Sequence, residues 1–264
     1  MTTRHYVTRQ RADAIARRLS DRDRSILTTL ARVRMATAGQ LGRLHFADVS
    51  ARQARSSLAS LVDRRLLARL PRPVGGVRAG SDGYIYLLDV AGQRLTRPSR
   101  SRYQRPWQAG WPFLKHSLSV TEMLVRLVEA DRAGLFRLID FSGEPATWRT
   151  FPAPGGGTAT LKPDAAVVLG LGRFEDRWLV EVDLGTEATT TIARACERYR
   201  AYWATGLEQA REGIFPRVIW LVPTPHRYQQ LVNTLAKQPP EAWGLFTVAL
   251  FDDAISRMAE GAAP

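Results

Sequence analysis

The stretch Lys162 to Glu187, KPDAAVVLGLGRFEDRWLVEVDLGTE, decides the fold of the second half of the chain. Two short runs rich in apolar and β-branched residues, Ala165 to Leu169 and Trp178 to Val182, flank Gly170, Gly172 and Asp176, which supply turn chemistry. The segment therefore predicts a β-hairpin. A turn centred near Arg173 sets Asp164 opposite the neighbourhood of Val182, beside Glu181 and Asp183. Side chains alternate along a strand, so Glu181 and Asp183 share a face, and the pleat brings Asp164 onto it. Lys162, two residues before Asp164, falls on the same face.

Three carboxylates in one small volume repel one another. Such a cluster persists when a cation neutralises it, when one acid is protonated, or when basic groups compensate. A hard divalent ion with oxygen ligands is the natural candidate, and Mg2+ (or Mn2+) takes one or two carboxylates plus water and phosphate oxygens. Pro163-Asp164 followed by Glu181-x-Asp183, on two strands that lead into a helix, resembles the PD-(D/E)XK nuclease superfamily. The resemblance implies Asp164, Glu181 and Asp183 as metal ligands and catalytic residues. It departs at one place: the superfamily usually has Lys where this chain has Asp183. Lys162 is the candidate substitute cation, with Arg194 or Arg198 on the following helix as others.

The charge is unevenly placed. The net charge is +13, but residues 1 to 115 hold 23 Lys and Arg against 7 Asp and Glu, while residues 116 to 264 hold 15 against 18. Of the basic residues 35 are Arg, which points to base-composition bias, yet bias does not explain the asymmetry. A positively charged module joined to a mildly acidic one argues for a polyanionic partner, most simply nucleic acid. The 264 residues suffice for two modest domains. The single Cys196 excludes a disulfide framework within the chain and fits a reducing compartment. It joins Ile192, Tyr199 and Trp203 in a helical stripe, hence a core position. There is no signal-peptide pattern and no membrane-spanning apolar run, so the expected location is the cytoplasm.

Residues 1–19 read as a basic N-terminal arm that orders on DNA. From Ser20 a helix is expected with Ile26, Leu27, Leu30 and Ala31 on one face. Thr37-x-x-Gln40 and Ser50-x-x-Gln53 are capping boxes that open two more helices. In the third, Ala54, Leu58, Leu61 and Val62 form the core stripe, and Arg52, Gln53, Arg55 and Ser56 face outward. Leu66 to Leu70 and Gly83 to Leu88 are strands flanking a turn-rich basic loop with Arg72 and Arg78. The pattern reads as a winged helix-turn-helix over 20–96, with Arg52, Gln53, Arg55, Ser56, Arg72 and Arg78 against DNA.

A basic, Pro-containing linker at 97–112 places Arg100 and Arg102 to track phosphates. The second domain, 113–257, opens with an amphipathic helix carrying His116 and Glu122, either a further candidate near the metal or an ordinary packing or solvent-facing residue. Strands are expected at 136–141, 147–151, 217–222 and 245–251, with helices after Glu187 and over 225–237. The order gives a PD-(D/E)XK-like mixed-sheet α/β sandwich, an α+β or α/β class, ending in a tail at 258–264. No GxxxxGK[ST] occurs, so an NTPase is excluded.

With Lys115-His116-Ser117-Leu118, then Leu161-Lys162-Pro163-Asp164-Ala165, then Val180-Glu181-Val182-Asp183-x-Gly185-Thr186-Glu187, the chain resembles the replication-relaxation protein family. That resemblance implies a protein of plasmids or other mobile elements acting in replication and DNA relaxation. Its signature positions here are Asp164, Glu181, Asp183 and Glu187, with His116 as a further candidate. Three functions stay open: a DNA-binding protein whose nuclease-like domain serves as a platform, a Mg2+-dependent endonuclease or nickase, and a transcriptional repressor. In the second, Asp164 and Glu181 hold the ion, Asp183 orients water, and Lys162 or Arg198 stabilises the phosphate. The expected partners are double-stranded DNA, a plasmid replication or mobilisation protein, and a second copy in a homodimer.

Overall fold

The structure, a computed structural model, describes residues 8–71, 84–96 and 110–261. The chain divides into two compact units, Met1–Val125 and Arg126–Pro264. The expected linker contributes only residues 110–112 to the described segments, and the division falls thirteen residues further on.

In the first unit the capping boxes do the local work. α1 (Arg9–Ala16) precedes α2 (Asp21–Val33), whose N-cap Ser20 accepts from the Asp23 amide while Asp23 returns the bond. β1 (Met35–Thr37) runs into α3 (Ala38–His45), capped by Thr37 and Gln40, and α4 (Ala51–Asp63) is capped by Ser50 and Gln53. Each cap satisfies amides that the first helical turn leaves without partners. β2 (Leu67–Pro71) and β3 (Tyr84–Leu88) follow, then α5 (Val90–Thr96). The three strands form an antiparallel sheet in the order β1-β3-β2. Ile26, Leu27, Leu30, Leu41, Leu58 and Leu61 close the core over it. Gly92 is needed on α5, because a Cβ there would stand 2.2 Å from the Leu66 carbonyl oxygen.

Residues 8–19 of the basic arm expected at 1–19 lie within the described segments. Residues 9–16 are helical, and Ala12 and Leu19 are buried in this core with Ile15 packed beside them. Ala12, Ile15 and Leu19 recur at helical spacing, a stripe too short to stand out among the arginines. α6 (Trp111–Arg132) begins in this unit, where Thr121 donates its hydroxyl to the Met35 carbonyl at 2.7 Å.

The second unit is a mixed sheet with helices. β4 (Arg137–Gly143) pairs antiparallel with β7 (Ala165–Leu171), and β7 with β8 (Phe174–Val182). Between β4 and β7, β5 (Arg149–Pro152) and β6 (Thr158–Leu161) form a separate two-stranded ribbon. After β8 come α7 (Thr189–Ala204) and α8 (Leu207–Glu212), then β9 (Arg217–Val222) parallel to β8. α9 (Pro225–Leu235) and a 3-10 turn (Pro240–Leu245) lead to β10 (Phe246–Leu250), parallel to β9, and to α10 (Ala254–Ala259). The sheet order is β10-β9-β8-β7-β4.

Ile192, Cys196, Tyr199 and Tyr202 of α7 and Leu231 and Leu235 of α9 pack on one sheet face with Leu179, Val218, Trp220 and Val248. Tyr202 is thus buried, where its spacing with Arg194 and Arg198 suggests a polar face. Met258, at the start of the expected tail, is fully buried in α10. Among the described residues no helix is long and apolar enough to cross a membrane.

Candidate functional site

The β7-β8 hairpin has a two-residue loop, Gly172-Arg173, with Leu171 opposite Phe174 and Gly172 at φ 60°. Glycine adopts that conformation without the strain of a Cβ. The ladder runs back to Ala165 opposite Val180, and its next step sets Asp164 across from Glu181. The turn centre lies between Gly172 and Arg173 instead of on Arg173, which shifts the partner by one residue from the expected Val182. Val182 still takes part, because its amide donates to Asp164 Oδ2 at 2.7 Å.

Glu181 lies on the face covered by α7 and accepts a hydrogen bond from the Tyr199 hydroxyl. Burial, and then the Asp164 charge, push the Glu181 carboxyl well above the ordinary carboxylate range, while Tyr199 and Arg198 pull it the other way. Tyr199 is raised well above its usual value by burial and by Glu181. The same surroundings push the fully buried Cys196 thiol up to about 12. A thiol so far from ionising is a core group, not a nucleophile.

Asp183 is committed elsewhere. Its Oδ2 accepts from Arg227 Nε at 2.6 Å, and its Oδ1 accepts from the Gly185 amide at 2.8 Å. Arg227, only 8% exposed in its side chain, also donates to the Glu187 carbonyl at 2.7 Å and to Gln230 at 3.0 Å. This buried pair ties the β8-α7 loop to α9. Glu187 itself is exposed, and so is Arg198 on α7. The Lys162 ammonium lies over the Trp148 ring, 4.3 Å from its centroid.

The other expected residues belong to the first unit. Glu122 accepts from Arg43 at 2.7 Å and from Gln40 at 3.1 Å, so α3 holds it. His116 is half-buried on α6 and engaged. Arg52, Gln53, Arg55 and Ser56 are all exposed on α4. The Gln53 amide oxygen serves the Ser50 cap. Arg72, Arg78, Arg100 and Arg102 lie outside the described residues.

Among the described residues no group of three His, Cys, Asp or Glu is placed to hold a metal ion. Asp164 and Glu181 adjoin, whereas both Asp183 oxygens are used. The donor set fits a two-carboxylate site, which is what Mg2+ asks of a protein. Sequence reasoning missed Arg227 altogether and took Tyr199 as core alone. The Tyr199 hydroxyl was the available signal, since a buried phenol needs a partner; nothing in Pro225-His226-Arg227 marks its arginine as buried.

A second buried cluster also went unread. Glu208, 1% exposed, accepts from Arg149, Arg211 and Tyr202, tying β5 to α7 and α8.

Residues 27–218 match the protein family described as Replication-relaxation. No curated protein matches the chain. Among solved structures, the restriction endonuclease FokI bound to DNA matches with 12% identity and a TM-score of 0.25, covering 92% of this chain and 46% of that one. The chain therefore spans about half the length of that endonuclease.

Proposed function

The chain belongs to the replication-relaxation family, and from that premise we propose that it is a double-stranded DNA-binding protein acting in replication or relaxation of plasmid or other mobile-element DNA. The carrying observation is the outer face of α4. In the first unit Arg22, Arg43, Arg64 and Arg65 are each paired with an acid. Arg52 and Arg55 are exposed and hold no ion pair among the described residues. Helices α2 to α4, with the antiparallel β1-β3-β2 sheet whose first strand lies between α2 and α3, support reading 20–96 as a winged helix whose recognition helix is α4. Exposed arginines on that helix can donate to phosphate oxygens of a duplex, which position the protein without reading sequence.

Each neutralised phosphate adds roughly 0.9 to the slope of log affinity against log salt. The Arg52→Ala/Arg55→Ala variant should lower that slope by roughly 2 and weaken binding on any duplex sequence. Electrophoretic shift titrations at several salt concentrations measure both. A slope equal to that of the parent protein would remove α4 from the interface.

A second reading is favoured by the adjoining Asp164 and Glu181: a Mg2+- or Mn2+-dependent nickase built on a PD-(D/E)XK-like sheet. When bound, the ion would polarise the scissile phosphate and activate water. Asp164 and Glu181 would hold it, Tyr199 orients Glu181 through its hydroxyl, and Arg198 offers an exposed cation beside the pair. Asp183 serves as an anchor for the loop. This reading expects supercoiled plasmid to be nicked with Mg2+ or Mn2+ and left intact by Asp164→Ala and Glu181→Ala. Binding without nicking by the parent protein would restrict the site to recognition.

A further inference from the structure

Lys162 raises a question of placement. It sits two residues before Asp164 in the extended segment between β6 and β7, is exposed, and forms no ion pair among the described residues. A lysine on a flexible four-carbon stem beside an aspartate ordinarily drifts between solvent and that carboxylate. Here its ammonium rests on the Trp148 ring.

Trp148 is itself held. Its indole N–H donates to Glu144 at 2.9 Å and its backbone amide to the Pro145 carbonyl at 3.1 Å. The preceding Thr147, fully buried, donates its hydroxyl to the Pro163 carbonyl at 2.5 Å. That bond fastens the Trp148 loop to the residue between Lys162 and Asp164. Yet Trp148 remains 41% exposed. An exposed aromatic on a fastened loop, carrying an exposed cation, stands at the Asp164 end of the acid pair. At the Glu181 end Arg198 is also exposed.

We propose that Trp148 and Lys162 form a ledge that receives a backbone phosphate of DNA beside Asp164 and Glu181, with Trp148 as the positioning residue that keeps the ammonium away from the carboxylates. Two cations flanking two carboxylates suit a polyanion whose phosphates repeat along a strand, better than a single small anion that the acids would repel. The inference rests on the DNA-binding reading and extends it to the second unit. Trp148 acts by holding Lys162 through its ring face.

The test uses the full-length protein and a fluorescein-labelled duplex, with fluorescence anisotropy at a series of salt concentrations. Lys162→Ala is expected to lower the salt slope by roughly 0.9, one phosphate contact, on any duplex sequence. Trp148→Ala should move the slope the same way by a smaller amount, because the ammonium persists but is no longer held. Trp148→Phe and Lys162→Arg should restore the parent slope, which a merely structural loss at Trp148 would not produce. Thermal melts of each variant show whether it is folded, and Lys162→Ala with Trp148→Phe decides the matter if Trp148→Ala is not. Lys162→Ala and Trp148→Ala curves that superpose on a salt-dependent parent curve would overturn the ledge and leave DNA binding standing. A parent protein that does not bind the duplex would overturn both.

Discussion

Arg227→Met should lower the unfolding free energy by about 3–5 kcal/mol, because it leaves the Asp183 carboxylate buried without its cation. Asp183 and Arg227 side chains are 1% and 8% exposed. Removing one partner of such a pair costs far more than removing one of a surface pair such as Arg257 and Glu260, at 55% and 62% exposure, worth about 0–1 kcal/mol. The loss includes the Arg227 bond to the Glu187 carbonyl, so the β8-α7 loop loosens as well. Asp183→Asn/Arg227→Met should recover part of the stability, since the amide carries no charge and keeps an oxygen for the Gly185 amide. Urea unfolding of the three proteins measures the differences. A single variant as stable as the parent would show that water already screens this pair. The comparison also bears on the site: an aspartate whose substitution acts on stability through Arg227 is an anchor, and the expected cluster of three acids is then left with two members, Asp164 and Glu181.

The hairpin was legible because its glycines and β-branched runs encode local geometry. The capping boxes at Thr37 and Ser50 were equally plain, read directly as Ser or Thr followed by Gln at the third residue, since a cap is a contact within four residues; at Ser20 only the helix start was read. What the sequence withheld was long-range. Arg227 lies 44 positions from Asp183, and no periodicity announces that an arginine after a proline will be drawn under the sheet. Tyr202 looked polar beside Arg194 and Arg198, but it packs on Phe151 at 5.1 Å between ring centroids, from a ribbon whose existence depends on β6. Thr158 to Leu161 is too short and too polar to signal a strand alone. The register differed by one residue because a two-residue loop and a three-residue loop fit the same glycines. For the acids, chemistry followed from face and spacing, whereas the engagement of Asp183 as an anchor depended on the Arg227 side chain.

Glu181→Gln should have opposite effects on stability with and without a divalent ion. Burial and the Asp164 charge raise the Glu181 carboxyl well above its ordinary range in the folded protein. The folded chain therefore holds this proton more tightly than the unfolded chain. The resulting stabilisation is complete below the unfolded value and is lost as pH rises through the folded one. At alkaline pH without metal the parent protein keeps a crowded carboxylate pair, whereas the variant has a neutral amide whose oxygen still accepts from Tyr199. The variant should then melt several degrees higher, and its advantage should close as the pH falls into the acid range. Adding Mg2+ or Mn2+ reverses the comparison. An ion that binds only the folded state stabilises it by about 2.7 kcal/mol at a hundred times its dissociation constant. In the proposed site Asp164 and Glu181 would hold the ion in the parent protein, and the amide would remove one of its two anionic ligands. The parent melting temperature should rise with metal while that of the variant stays level. Scanning calorimetry in EDTA and in Mn2+ across the pH range separates the two effects. Equal metal shifts in both proteins would take Glu181 out of any metal site, and a variant less stable than the parent at alkaline pH in EDTA would show that the pair is relieved by neighbouring cations instead.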